Sequence, residues 1–106
     1  MPSSDFRPFT VRLGPHRVKV TYETGSPKRS GYYGLCRTSP KTGIRIQIWD
    51  KGRRSRWSTL WHELLHAMSE ATKARLTERQ VRRLEVCMQR LCRDNPALMK
   101  KIVRGI

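Results

Sequence analysis

Hydrophobic and polar residues alternate through the first half of the chain with the period of two that is typical of β-strands. The alternation runs through residues 9–13 and again through 18–22, on either side of a Gly-Pro pair. Two such runs flanking a turn predict a β-hairpin. Residues 32–37 are predicted as a further strand, and residues 44–49, in which isoleucine occupies every second position, form the clearest one.

The period becomes helical from Trp57 onward, where apolar residues recur at spacings of three and four. This predicts one helix over 57–73 and a second over 77–93, with Thr77 as the N-cap of the second and a short helical turn over 97–103. The residues of the first helix expected to face the core share one arc: Trp57, Trp61, Leu64, Met68 and Ala71.

These elements predict a single α+β domain spanning residues 1–106. A small antiparallel β-sheet over about residues 8–50 is followed by two main helices. One domain is also what a chain of 106 residues allows, because little is left for insertions.

The stretch TLWHELLHAMSEA lies in the first predicted helix and contains the pattern HExxH. Residues four apart share one face of a helix, so His62 and His66 can present imidazole nitrogens to one zinc ion. Glu63 is turned by about 100° from His62, which suits a general base acting on a water at the metal better than it suits a ligand. The pattern therefore predicts one Zn²⁺ per chain and metal-assisted peptide hydrolysis.

A catalytic zinc site also needs a third protein ligand and an open fourth position. Glu70 lies eight residues after His62, about 12 Å along the helix axis, and is too far away to share the ion. Glu78 and Glu85 are the best candidates, because they share the side of the second predicted helix that borders its apolar stripe. Residue spacing does not decide which of the two is the third ligand. The alternative role of either carboxylate is an ion pair with a neighbouring arginine.

The predicted sheet is followed by the TLWHELLHAMSEA helix and then by a helix that opens LTERQVRRLE and closes at RDNP. This order of elements and motifs resembles small zincin-type metallopeptidase-like proteins of phages and prophages, in the compact gluzincin-like group. The resemblance covers about residues 34–96. It implies zinc ligands at His62, His66 and Glu78 and a general base at Glu63, whereas Glu85 stays the alternative third ligand that spacing allows. Arg82 departs from the pattern, in which a small or acidic residue often follows the third ligand.

The chain carries 23 Lys and Arg against 8 Asp and Glu, a formal net charge of +15. This bias exceeds what solubility requires and favours a polyanionic partner, either nucleic acid or an acidic protein surface. We expect the nucleic-acid contacts in two basic loops, at Lys28, Arg29, Arg53, Arg54 and Arg56. The fingerprints of known sequence-reading motifs are missing, which predicts weak sequence specificity.

Two functions are compatible with these features: a zinc metallopeptidase acting on protein or peptide substrates, and a non-catalytic, zinc-stabilised module that binds nucleic acid or another protein. The N-terminal residues lack an apolar signal segment, and no run approaches the roughly 20 apolar residues of a membrane span. Three cysteines fit no disulfide framework. We therefore expect a cytoplasmic protein without membrane contact, in a host cell if it is phage-encoded.

Overall fold

Two β-hairpins supply the strands of one sheet in the computed structural model, which describes residues 7–23, 34–49 and 56–106. The strands are β1 (Phe9–Leu13), β2 (His16–Glu23), β3 (Gly34–Ser39) and β4 (Gly43–Trp49). Gly14 and Gly43, at the two hairpin turns, have φ angles of 58° and 72°. Glycine adopts this left-handed region without a steric penalty, which allows both turns to close tightly.

The sheet has the strand order β1-β2-β4-β3 and mixed pairing. Each hairpin is antiparallel, whereas β2 and β4 run parallel, with Val18 opposite Ile44 and Tyr22 opposite Ile48. The expected α+β class is confirmed, and the expectation of a purely antiparallel sheet is wrong at this central pair. The two hairpins join through their most apolar strands, because central strands are the most deeply covered.

Three helices follow the sheet, namely α1 (Arg56–Thr72), α2 (Glu78–Asp94) and α3 (Pro96–Arg104). The first two agree to within one residue at each end with the predicted spans 57–73 and 77–93. Thr77 caps α2 as expected, since its hydroxyl accepts a hydrogen bond from the Gln80 N–H while the Gln80 side chain accepts one from the Thr77 N–H. This capping box fixes the residue at which α2 begins.

The core lies between one face of the sheet and α1. Val18, Val20, Ile46 and Ile48 from the sheet are completely buried, and Leu60 and Ala67 from α1 complete the main cluster. The expectation that Trp57 faces the core is wrong, because this side chain is 54% exposed. Burial in α1 begins only at Thr59, so the first turn of the helix lies outside the covered region.

The second and third helices are less covered than the first. Of the apolar stripe expected on α2, Val81 is buried whereas Leu84 and Leu91 are exposed. The short α3 packs on α2 and has no buried residue. None of the helices in the described parts of the chain has the length and apolar content that a membrane span requires.

Candidate metal centre

His62 and His66 lie one turn apart on α1, with their rings edge to face and their centroids 4.9 Å apart. The two Nε2 atoms are 3.2 Å from each other. Both side chains are largely withdrawn from solvent, and His62 is the more buried of the two. The four-residue spacing on a helix thus brings two nitrogen donor atoms to one point.

The loop after α1 reverses the chain so that the first turn of α2 faces the two imidazole rings. Lys73 and Arg75 have φ angles of 58° and 56°, in a region that residues with side chains seldom adopt. The hydroxyl of Ser69, which is buried, accepts a hydrogen bond from the N–H of Leu76 at 2.8 Å. These contacts fix the path of the loop and place Glu78 over the histidines.

The carboxylate of Glu78 bridges the two histidines. Its Oε1 atom lies 2.7 Å from Nε2 of His62, and its Oε2 atom lies 2.8 Å from Nε2 of His66. One donor atom from each of the three residues can be chosen so that all lie within 4.8 Å of one another. Bond lengths of 2.0–2.1 Å in a tetrahedral zinc site imply ligand atoms about 3.3 Å apart, close to the spacing of the two nitrogens.

This donor set fits zinc in its chemistry as well as its spacing. Two imidazole nitrogens and one carboxylate oxygen are ligands that zinc binds in catalytic sites. The Glu78 side chain is 50% exposed, so the group lies at the surface and not in a closed core. A site of this kind has room for a further ligand from solvent or substrate.

Glu85 contacts the same histidine from the other side. It is only 3% exposed, and its Oε2 atom lies 3.3 Å from Nδ1 of His62. That distance is longer than a charge-assisted hydrogen bond of about 2.7–2.9 Å, so the contact is mainly electrostatic. A carboxylate beside Nδ1 favours the tautomer protonated there, which leaves the Nε2 lone pair directed at the metal position. Of the two glutamates that spacing left open, Glu78 therefore lies at the donor cluster and Glu85 lies behind it.

Glu63 is buried between α1 and the start of β3, with only 6% of its surface exposed. A Cβ atom at Gly34 would come within 2.9 Å of Glu63 Oε2 and within 2.6 Å of Thr59 Cγ2. The absence of a side chain at residue 34 therefore makes room for this carboxylate. Sequence analysis assigned no such role to Gly34, although a glycine within a predicted strand can mark a close approach.

The acidic residues of this basic chain are concentrated around the histidines. Five of its eight acidic residues lie on the two helices that form the site, namely Glu63, Glu70, Glu78, Glu85 and, at the far end of α2, Asp94. Burial, followed by the charges of Glu63 and Glu70, raises the pKa of the Cys36 thiol from 9.0 to about 12. Cys36 therefore stays a neutral thiol near pH 7.

Of the five basic residues predicted to bind nucleic acid, Arg56 is the one that the structure describes. Lys28, Arg29, Arg53 and Arg54 lie outside the described residues. Arg56 is the first residue of α1, and its guanidinium carbon lies 5.1 Å from the centroid of the Tyr22 ring. This cation–π contact ties the Arg56 side chain to the sheet.

The fold and donor set define a small α+β protein with a candidate centre of two histidines and one carboxylate. Comparison with protein-family models, with curated proteins and with solved structures found no match. The gluzincin-like resemblance and the phage origin that it implies therefore stay predictions based on the residues quoted for them.

Proposed function

We propose that this chain is a zinc-dependent metallopeptidase-like protein that hydrolyses peptide bonds in protein or peptide substrates. The observation that carries the proposal is the convergence of His62 Nε2, His66 Nε2 and the Glu78 carboxylate, at distances between 2.7 and 3.2 Å. A hydrolytic zinc site uses three protein ligands and one open position. The acidic residue of HExxH, Glu63, lies on the same helix as both histidines.

The residues of the site divide the chemical work among them. His62, His66 and Glu78 would hold the ion, and Glu85 would hold His62 in the tautomer that presents Nε2. When bound there, zinc lowers the pKa of a water molecule and polarises the substrate carbonyl. Glu63 is the general base: its carboxylate accepts a proton from the attacking water and delivers it to the amine nitrogen as the C–N bond breaks.

A second candidate function is a non-catalytic module in which zinc only stabilises the fold and the surface binds nucleic acid or another protein. The burial of Glu63 against Gly34 favours it, because that contact gives the carboxylate a packing role. In such a module the free energy of zinc binding is added to the free energy of folding.

The substitution Glu63→Gln separates the two functions, because it keeps the size of the side chain and removes its basicity. The peptidase proposal expects unchanged zinc content and a rate of cleavage of fluorescein-labelled, denatured casein that is lower by at least about a hundredfold. Glu70→Gln is the matched control, since it removes the same charge from α1 at an exposed position, and it should retain both properties. Full cleavage by Glu63→Gln, or a zinc-loaded wild type that cleaves nothing, would overturn the proposal.

A further inference from the structure

The face of the sheet turned away from α1 carries a row of three cations. Lys19 lies opposite Arg45 across β2 and β4, and Arg45 lies opposite Arg37 across β4 and β3. All three side chains are exposed. Since neighbouring strands are about 4.8 Å apart, the row spans roughly 10 Å. Arg12 and Arg17, which are paired across the β1–β2 hairpin, add a second basic row on the same face.

This arrangement is unfavourable for the sheet itself. Like charges directly opposite each other destabilise a strand pair, and the row contains two such pairs. Among the described residues of this face, the one acidic side chain is that of Glu23, at the far end of β2, and it accepts a hydrogen bond from Gln47 at 3.4 Å. An anion lying over the row would offset the repulsion between its members.

The same face is concave and carries groups that suit a nucleic acid. Its cavity has a volume of about 310 Å³ and is lined by Lys19, Thr21, Glu23, Arg37, Arg45 and Gln47. Strand alternation places Trp49, which is half-buried, on the same face as Gln47 at the end of β4. Cations that follow a phosphate backbone, together with an aromatic ring on which a base can stack, are typical of proteins that bind single strands without sequence preference.

We propose that this cation face (Arg12, Arg17, Lys19, Arg37 and Arg45) binds the phosphodiester backbone of single-stranded nucleic acid. A duplex is disfavoured, because no described helix or ribbon projects from the face to enter a groove. An acidic polypeptide would meet the same cations but would have no base to stack on Trp49. The face lies on the opposite side of the sheet from α1 and the candidate metal centre, so this proposal does not depend on peptidase activity.

The test is fluorescence anisotropy of a labelled oligothymidylate of about 20 nucleotides, titrated with the zinc-loaded full chain. The variant K19Q/R37Q/R45Q removes the row, and R79Q/R83Q/R90Q removes the same charge from exposed positions on α2. We expect at least about a tenfold loss of affinity for the first variant and less than about threefold for the second. The log–log salt slope of the first should shrink by about 2, because each single-strand phosphate contact contributes about 0.7.

Two further measurements connect the effect to the face. The midpoint of thermal unfolding of K19Q/R37Q/R45Q should equal or exceed that of the wild type, because the substitutions remove opposed like charges. Trp49→Leu should weaken binding of oligothymidylate and leave the binding of polyglutamate unchanged. Zinc content and casein cleavage should be the same in K19Q/R37Q/R45Q as in the wild type. A failure of the nucleic-acid proposal is therefore distinguishable from a failure of the proposed peptidase function.

Four results would overturn the proposal. The first is an equal loss of affinity in the two triple variants, which would mean that net charge alone drives binding. The second is tighter binding of a duplex of the same length, and the third is displacement of oligothymidylate by polyglutamate at equal charge concentration. The fourth is the absence of any binding at micromolar protein in low salt.

Discussion

At the scale of single residues, Glu78 and Glu85 of α2 contact different nitrogens of His62. Removing each carboxylate should therefore lower zinc affinity by a different amount. Glu78→Gln takes away the anionic oxygen at the two Nε2 atoms, so zinc affinity should fall by more than about a hundredfold. Glu85→Gln removes the partner of His62 Nδ1, and support of this kind contributes about 10–100-fold. Competition with a chromophoric zinc chelator measures both affinities. A larger loss for Glu85→Gln would contradict the assignment.

Gly34 is the residue whose replacement tests the packing around Glu63. In Gly34→Ala the new methyl group meets Thr59 and Glu63 at distances that force them to move, and overpacking of this kind costs about 1–3 kcal/mol. Gly105→Ala is the control, because φ there is −84° and the nearest atoms lie 3.5 Å away. Urea unfolding of both variants gives the comparison. Equal stability of the two would show that the contact at residue 34 is not tight.

At the scale of elements, the spacing of apolar residues was enough to predict both main helices, and Thr77 and the Asp-Asn-Pro sequence limit α2 at its two ends. Spacing also grouped Glu78 and Glu85 on one side of α2, but the direction of each side chain depends on how the loop after α1 reverses. The parallel pairing of β2 with β4 was not predictable either, because alternation determines the face of Val18 or Ile44 and not the strand beside it. Trp57 was wrongly predicted to face the core, because the spacing of apolar residues does not show where along a helix burial begins.

The start of α2 connects stability with the metal site, because the capping residue Thr77 directly precedes Glu78. Thr77→Ala removes the hydroxyl that accepts from the Gln80 N–H, and loss of such a cap costs about 1 kcal/mol. We also expect weaker zinc binding, since fraying of the first turn frees the Glu78 carboxylate. Thr72→Ala is the control, because its hydroxyl donates to the Met68 carbonyl in the last turn of α1 and caps nothing.

The measurements are the free energy of unfolding without zinc and the zinc affinity of each variant. Thr77→Ala should lower both, and Thr72→Ala should change the unfolding free energy by less than about 0.5 kcal/mol. A cap variant that loses stability but binds zinc as tightly as the wild type would mean that Glu78 is held by something other than the first turn of α2.

At the scale of the whole molecule, the candidate metal centre and the cation face lie on opposite sides of the sheet. On one side, α2 brings the carboxylates of Glu78 and Glu85 to the two histidines, whereas the other face carries a row of cations with little to neutralise it. Close to the histidines, the carboxylates of Glu78 and Glu85 offset part of the net charge of +15, although Arg82 lies 3.5 Å from Glu78. One chain can in this way hold a metal ion and an anionic partner at separate places.

Zinc content is the measurement that tests the central claim most directly. The wild-type chain, loaded with zinc and dialysed, should contain one zinc per chain by plasma emission spectroscopy. The double variant His62→Ala/His66→Ala should contain less than about a tenth of that, because it lacks both nitrogen ligands. His16→Ala removes an exposed histidine of β2 and should keep the full amount. Stoichiometric zinc in the double variant, or none in the wild type, would contradict the proposed metal centre.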